Sequence, residues 1–246
     1  MFKTLFQKLW QEAYRFNDQN ILSLLKFDQK ATVLDLGCGD GQKTILYQKK
    51  IGTKLMVGAD GVRARLQAAK VRGVTQTVSL NIESEWPLPD KYFDAVISNQ
   101  VIEHIFDIDH FLTESYRILK PGGYMVVSTE NLASWHNIFA LVLGWQDFSH
   151  HILKISHVTN PLSPHFEKKT ASWSKEDNSS VDDSAYPHIK ILTYKSLIKI
   201  FQAYNFIFEK GSGAGYYPLF GNFSRIVSKF DPIHSHFISA RFKKPI

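Results

Sequence analysis

Cysteine is almost absent from this chain, with one, Cys38, in 246 residues. A lone thiol closes no internal disulfide, which excludes a disulfide-stapled secreted scaffold and fits a reducing compartment, so a cytoplasmic location is expected. It also excludes a thiolate-rich zinc site. Long apolar runs are missing too. The longest, residues 138–145, falls far short of the roughly 20 residues that cross a bilayer. Lys3, Lys8, Glu12 and Arg15 interrupt the first 20 residues, so the uninterrupted apolar centre of a signal peptide is lacking. No basic run interleaved with aromatics is present, which argues against a nucleic-acid surface. Internal repeats are likewise absent.

What remains is ordinary globular material, with 44% hydrophobic and 21% charged residues. The length suits one α/β domain, 1–246, carrying an insertion. The net charge of +6 is uneven: residues 1–130 hold 16 Lys+Arg against 15 Asp+Glu, whereas residues 131–246 hold 13 against 8. A positive field of this kind would favour an anionic acceptor, although a solvated basic face with no partner explains it equally well.

Residues 2–27 place apolar side chains at helical spacing and read as an amphipathic lead-in, 1–28, that packs on a sheet or closes over a pocket; a membrane surface is the alternative partner. Strand-like and helix-like segments then alternate, with strands expected at 32–36, 55–59, 75–80, 93–98 and 124–129. Helices are expected at 42–50, 62–71 and 108–119. This alternation specifies a parallel sheet with crossover helices. The rhythm breaks over 131–190, where a Trp- and His-containing apolar segment precedes a Ser-, Asp- and Lys-rich tract at 170–185. That composition predicts an inserted cap or lid. A helix over 194–204 and strands at 206–210 and 236–242 complete the chain, with an aromatic-rich loop expected at 211–220.

The most informative stretch is Val33-Leu34-Asp35-Leu36-Gly37-Cys38-Gly39-Asp40-Gly41. It joins a buried strand to a helix through three glycines, which permit positive φ and close approach of a ligand to free N–H groups at the helix start. A dinucleotide-binding turn, G-x-G-x-x-G, would need its third glycine at position 42, which is Gln42. A phosphate-binding loop would need Gly-Lys-Ser/Thr, and none follows. Cys38 within the turn reads as a small residue tolerated beside a ligand. Asp60 closes the next strand, 25 residues past Asp35, where a carboxylate can accept from vicinal ribose hydroxyls or cap the helix that Gly61 opens.

The pattern Asp35-x-Gly37-x-Gly39-x-Gly41 closely resembles the first motif of class I S-adenosylmethionine-dependent methyltransferases. Leu80-Asn81-Ile82-Glu83, then Phe93 to Ile105 with Ser98, Asn99 and the Glu103-His104 pair, then Leu119-Lys120-Pro121-Gly122-Gly123 resemble that family's later motifs in order. The similarity is to its broad group of small-molecule and lipid enzymes. It implies a Rossmann-like α/β fold, a seven-stranded, mostly parallel sheet in order 3-2-1-4-5-7-6 with strand 7 antiparallel, and a cap inserted after strand 5. It also implies S-adenosylmethionine as cofactor, held by Asp35, Gly37, Cys38, Gly39, Gly41, Asp60, Gly61, Asn81, Ile82, Ser98 and Asn99. Where the family usually carries Asp to accept from the adenine amino group, this chain has Asn81, whose amide oxygen accepts without the charge.

Methyl transfer from a sulfonium needs positioning more than acid–base machinery, but a hydroxyl acceptor also loses a proton. His104, following strand four, is the first base candidate, and His188 and Tyr216 join it from the second half, with His136 as a further one. The spacing of His150-His151, His157 and His165 matches no metal signature, so no metal is expected. The acceptor is read as a small molecule, glycan or lipid methylated on oxygen. RNA methylation and a non-catalytic cofactor-binding module remain the competing readings.

Overall fold

A computed structural model describes residues 2–150, 159–163 and 188–246. The cap histidines His151, His157 and His165 and the 170–185 tract lie outside the described residues. Seven strands form one sheet: β1 (Thr32–Leu36), β2 (Leu55–Asp60), β3 (Gln76–Ser79), β4 (Phe93–Asn99), β5 (Leu119–Glu130), β6 (Ile207–Ala214) and β7 (Phe237–Lys243). Their order is β3-β2-β1-β4-β5-β7-β6, as expected. β1 to β5 pair parallel, and β7 runs antiparallel to both β5 and β6.

The central position of β1 explains its composition. All five of its residues are buried, because helices cover both faces of a parallel sheet. Leu34 and Leu36 point into one core with Val57, Val96, Met125 and Ile238, whereas Val33 points into the other with Ile21, Leu24, Tyr47 and Ile51. Asp35 shares the second face with Val33 by the alternation of a strand. β3, at the sheet edge, is short and only partly buried.

The lead-in is helix α1 (Phe2–Leu24). It packs on the far end of the sheet, where Leu9, Ala13 and Phe16 meet Ala214, Tyr217 and Phe237. Large apolar side chains such as Leu9 and Phe16 contribute roughly 1.5–3 kcal/mol each when fully buried. Buried Asn17 fixes the helix further by donating to Ser128 Oγ on β5 at 2.8 Å. The crossover helices are α2 (Gln42–Ile51), α3 (Arg63–Arg72) and α4 (Ile108–Ile118). After β5 come α5 (Trp135–Val142), α6 (Tyr194–Ala203) and α7 (Gly221–Phe230).

Two local expectations fail. Residues 211–214 are not loop but the second half of β6, paired from Gly211↔Ala240 to Ala214↔Phe237. Their glycines serve packing: a Cβ on Gly211 would lie 2.2 Å from Tyr194 Oη, and one on Gly213 would lie 2.2 Å from Ser235 Oγ. The connection to β7 then contains α7 instead of a bare loop. At the other end, Leu119 already pairs with Phe93, and the Lys120–Gly123 segment is an irregularity inside β5 before regular pairing resumes at Tyr124↔Ala95.

Candidate functional site

The C-terminal ends of β1, β2, β4 and β5 open into one cavity of about 1110 Å³. An open parallel sheet places its ligands at this edge, where neighbouring crossovers diverge. The glycine turn forms one wall. Gly37, Gly39 and Gly41 all take positive φ, at 79°, 54° and 80°, but for different reasons. A Cβ at Gly37 would come within 2.5 Å of Val101 Cγ2, and one at Gly41 within 2.7 Å of Val74 Cγ2 and 3.0 Å of the Ala69 backbone. At Gly39 nothing lies within 4 Å, and this glycine lines the cavity. Gly39 therefore leaves its backbone open to the cavity, whereas Gly41 packs against Val74 and Ala69 and is not part of the lining.

Backbone hydrogen bonds hold the turn against β2. The N–H groups of Gly37 and Cys38 both donate to Ala59 O, at 2.8 and 2.9 Å. Gly39 N–H donates to Asp60 Oδ2 at 3.0 Å, and Val62 N–H donates to Asp60 Oδ1 at 2.8 Å. Asp60 thus stabilises the start of α3 while its carboxylate, with Gly61 beside it, faces the cavity. Asp35 also lines the cavity and accepts from Thr44 Oγ1 at 2.6 Å. Burial raises its pKa to about 7. Burial likewise pushes the Cys38 thiol above its ordinary range, so it is not an activated nucleophile.

Asn81 and Ile82 line the far side. The Asn81 amide is engaged locally, donating to Ser84 Oγ at 2.9 Å and accepting from Glu83 N–H at 3.1 Å. Asn99, at the end of β4, donates to Tyr47 Oη at 3.0 Å, while its own Oδ1 is buried without a hydrogen-bond partner. Gln100 next to it takes φ 57°, a sparsely populated conformation for a side-chain-bearing residue. Such strain recurs at ligand sites.

Ser98 does not belong to this wall. It is buried inside β4 between Leu36 and Val127 and is not part of the cavity lining. Tyr216 is also not brought to the cavity. Its hydroxyl donates to Asp231 Oδ2 at 2.7 Å and accepts from Trp135 Nε1 at 2.6 Å, a structural role joining α5 to α7.

The opposite end is built by Glu103, His104, Glu130 and His188. Glu103 sits in a 3₁₀ turn after β4, and its carbonyl accepts from Ile189 and Lys190 N–H, so it pins the segment that leads into α6. That contact brings His188 beside His104, with ring centroids 4.8 Å apart. His188 Nδ1 lies 2.7 Å from Ser149 O. A carbonyl only accepts, so Nδ1 carries the proton and Nε2 bears the lone pair. Burial lowers the His188 pKa, which keeps the imidazole neutral near pH 7. Glu130 Oε2 lies 3.7 Å from His188 Nδ1, and Glu130 Oε1 lies 4.0 Å from His236 Nε2. His236 Nδ1 in turn meets His136 Nε2 at 3.1 Å, behind the cavity wall. Burial lowers the His136 pKa to about 3.

Both carboxyls at this end are perturbed. Burial raises Glu103 to about 8, with the neighbouring Glu130 adding to the shift, and raises Glu130 to about 7. Glu103 Oε2 accepts from Thr129 Oγ1 at 2.9 Å, whereas Oε1 has no hydrogen-bond partner. Ligand atoms of Glu103, His104 and His188 all lie within 4.8 Å of one another, a spacing that could hold one divalent cation.

Sequence reasoning missed Trp10 and Tyr14, which α1 sends into the cavity, and Glu130. A signal for Glu130 existed: it ends β5, at the same edge of the sheet that Asp35, Asp60 and Asn99 mark.

A parallel sheet with a reversed last strand, a glycine turn with one open cradle position and a carboxylate closing β2 together define the class I methyltransferase architecture. The chain matches the family model described as "Methyltransferase domain" over residues 9–209 and belongs to that family. A ubiquinone biosynthesis O-methyltransferase of Chelativorans sp. is 34% identical over 105 residues, covering 40% of this chain and 40% of the relative. A malonyl-[acyl-carrier protein] O-methyltransferase of Marinomonas sp. is 30% identical over 135 residues, covering 54% and 50%. These alignments span half or less of the relatives' own length. Among solved structures, an S-adenosylmethionine-dependent methyltransferase from Mesorhizobium loti shares the fold with a TM-score of 0.59 at 14% identity, covering 91% of this chain and 95% of that one.

Proposed function

We propose that this chain transfers a methyl group from S-adenosylmethionine to a hydroxyl of a small-molecule, glycan or lipid acceptor. The observation that carries the reading is the two-ended cavity, with the Gly39 cradle and Asp60 at one end and the Glu103, His104, Glu130 and His188 cluster at the other. O-methyltransferases among the relatives support the choice of oxygen.

The residues fit the cofactor. Gly39 leaves room for close approach, Asp60 offers carboxylate lone pairs to ribose hydroxyls, and the unsatisfied Asn99 Oδ1 offers an acceptor for an ammonium group. Asn81 and Ile82 supply a polar edge and an apolar face for the adenine. Trp10 and Tyr14, stacked at 4.9 Å, cover the cavity from α1 and limit water. When bound, the cofactor supplies a methyl group already activated by the sulfonium charge.

The chain's own contribution is alignment and proton removal. Alignment of two bound reactants supplies roughly 7–11 kcal/mol of a barrier of this kind. His188 Nε2 would take the proton of the acceptor hydroxyl, whose oxygen would receive the methyl group that a bound cofactor supplies. The nascent imidazolium is held by Ser149 O and the nearby Glu130 carboxylate. His104 orients the acceptor beside it.

The test is incubation of the protein and methyl-labelled cofactor with fractionated cell extract. Alkali-stable label in lipid, saccharide or small-molecule fractions is expected. Label in RNA would overturn the acceptor class, and no label from a protein that binds S-adenosylhomocysteine would favour a non-catalytic module.

A further inference from the structure

Two neighbouring helices are inverted relative to ordinary amphipathic packing. In α7 the side chains turned inward are serines: Ser224 is 3% exposed and Ser228 0%. Phe223, Ile226 and Phe230, spaced three and four apart and hence on one stripe, are 61, 52 and 87% exposed. In α5 the buried residues are Asn137 and Ala140, while Trp135, Phe139, Leu141 and Val142 face outward. A helix serving only a soluble core does the reverse.

Two of the three inward polar side chains, Asn137 and Ser224, are hydrogen-bonded, whereas Ser228 Oγ is not. Asn137 Nδ2 donates to Asn131 O and Ser149 Oγ, both at 3.0 Å, and Ser224 Oγ accepts from Tyr216 N–H at 2.9 Å. The orientation of each helix is thus fixed from within, and its apolar side is left outside. The start of α5 is tied to the end of α7 through side chains. Trp135 stacks on His234 with centroids 4.4 Å apart, and its Nε1 donates to the Tyr216 hydroxyl that is bound to Asp231 at the end of α7.

Charge selects the occupant. Neither helix contains an acidic residue, whereas α7 carries Arg225 and Lys229. Over the described part of 131–246 there are nine Lys and Arg against three Asp and Glu. The adjacent acids are both engaged, Asp231 by Tyr216 and His234 and Glu12 by the Gly221 N–H that opens α7. A symmetric contact between two copies would set this cationic patch against itself. We propose that the α5–α7 face docks on an anionic bilayer surface, with Phe223, Ile226, Phe230, Phe139 and Val142 entering the boundary between headgroups and acyl chains and Arg225 and Lys229 on the headgroups. The inference stands whether or not the acceptor is itself a lipid.

The test is cosedimentation of the full chain with vesicles of phosphatidylcholine alone and of phosphatidylcholine mixed with phosphatidylglycerol. Binding to the mixed vesicles is expected, about tenfold or more stronger than to the neutral ones and weakened by salt. The triple variant Phe223→Gln/Ile226→Gln/Phe230→Gln loses at least about tenfold in partitioning. Arg225→Gln/Lys229→Gln loses a comparable factor at low salt only. An unchanged thermal midpoint shows that the variants are folded. Wild-type protein left in the supernatant, a triple variant that binds as wild type, or a solution dimer that the triple variant dissociates would each overturn the proposal.

Discussion

Gly39 and Gly41 are two residues apart in one turn, yet the structure assigns them separable tasks, and replacing each by Ala tests that separation. At Gly39 an added methyl meets nothing within 4 Å, so the folded state suffers only from placing an L-residue at φ 54°. That costs about 1–2 kcal/mol. At Gly41 the same conformational penalty applies at φ 80°, and the methyl also approaches Val74 Cγ2 at 2.7 Å and the Ala69 backbone at 3.0 Å. Backbone cannot rotate away as a side-chain tip can, so overpacking adds roughly 1–3 kcal/mol. For a chain of this length, 1 kcal/mol moves the thermal midpoint by about 2–4 °C. Gly39→Ala should therefore lower the midpoint by about 2–8 °C and Gly41→Ala by about 4–20 °C.

Ligand affinity should follow the opposite order. If the cofactor touches the turn at Gly39, as proposed, the added methyl occupies that space, and a loss of at least about tenfold, or 1.4 kcal/mol, is expected for S-adenosylhomocysteine. Gly41→Ala, measured well below its own midpoint, should stay within about threefold of wild type. Differential scanning calorimetry and isothermal titration on the same samples read both quantities. A Gly39→Ala protein that binds S-adenosylhomocysteine as wild type does would refute the assignment of Gly39 as the cradle.

The acid–base arrangement predicts a kcat that falls as pH drops through about 7, because Glu130 is protonated there. Glu130→Gln should lower kcat roughly 10²-fold, move that acid limb to lower pH and leave the KM for cofactor unchanged; an unmoved limb would rule out coupling between Glu130 and His188. Exhaustive chelation should leave turnover intact if His188 is the proton acceptor, whereas loss restored by a divalent ion would make Glu103, His104 and His188 a metal site instead. Glu103 is raised to about 8 from an ordinary 4.5, so its neutral form is favoured by folding. Its stabilising effect is complete below about pH 4.5 and is lost as pH rises toward 8. Glu103→Gln should therefore be nearly as stable as wild type at pH 5 and more stable at pH 8 in urea unfolding; equal stability at both would contradict the burial of an ionising group.

The strands and crossover helices were legible because short, mainly apolar runs such as 33–36 and 95–98 alternate with segments of helical spacing, and the ordered motifs implied the sheet order by resemblance. That Asp35, Gly37, Gly39 and Asp60 would line one cavity was legible because they lie within 26 consecutive residues that fold as one β-α-β unit. Glu130, Trp10 and Tyr14 were not, since they reach the cavity from the end of β5 and from α1, two segments that no local pattern links to each other or to the glycine turn. Tyr216 misled because an aromatic-rich stretch with glycines resembles an acceptor loop, while its hydroxyl is tied to Asp231 and Trp135. Helix α7 escaped because its Phe and Ser residues have no core-facing pattern to follow: the serines are the buried side.

The most direct test of the central claim is calorimetric titration of the purified, folded chain with S-adenosylhomocysteine, with NAD as the comparison ligand. One site per chain is expected for S-adenosylhomocysteine, weakened strongly by Asp60→Ala, and no heat of binding for NAD. Absence of S-adenosylhomocysteine binding, or preferential binding of NAD, would contradict it.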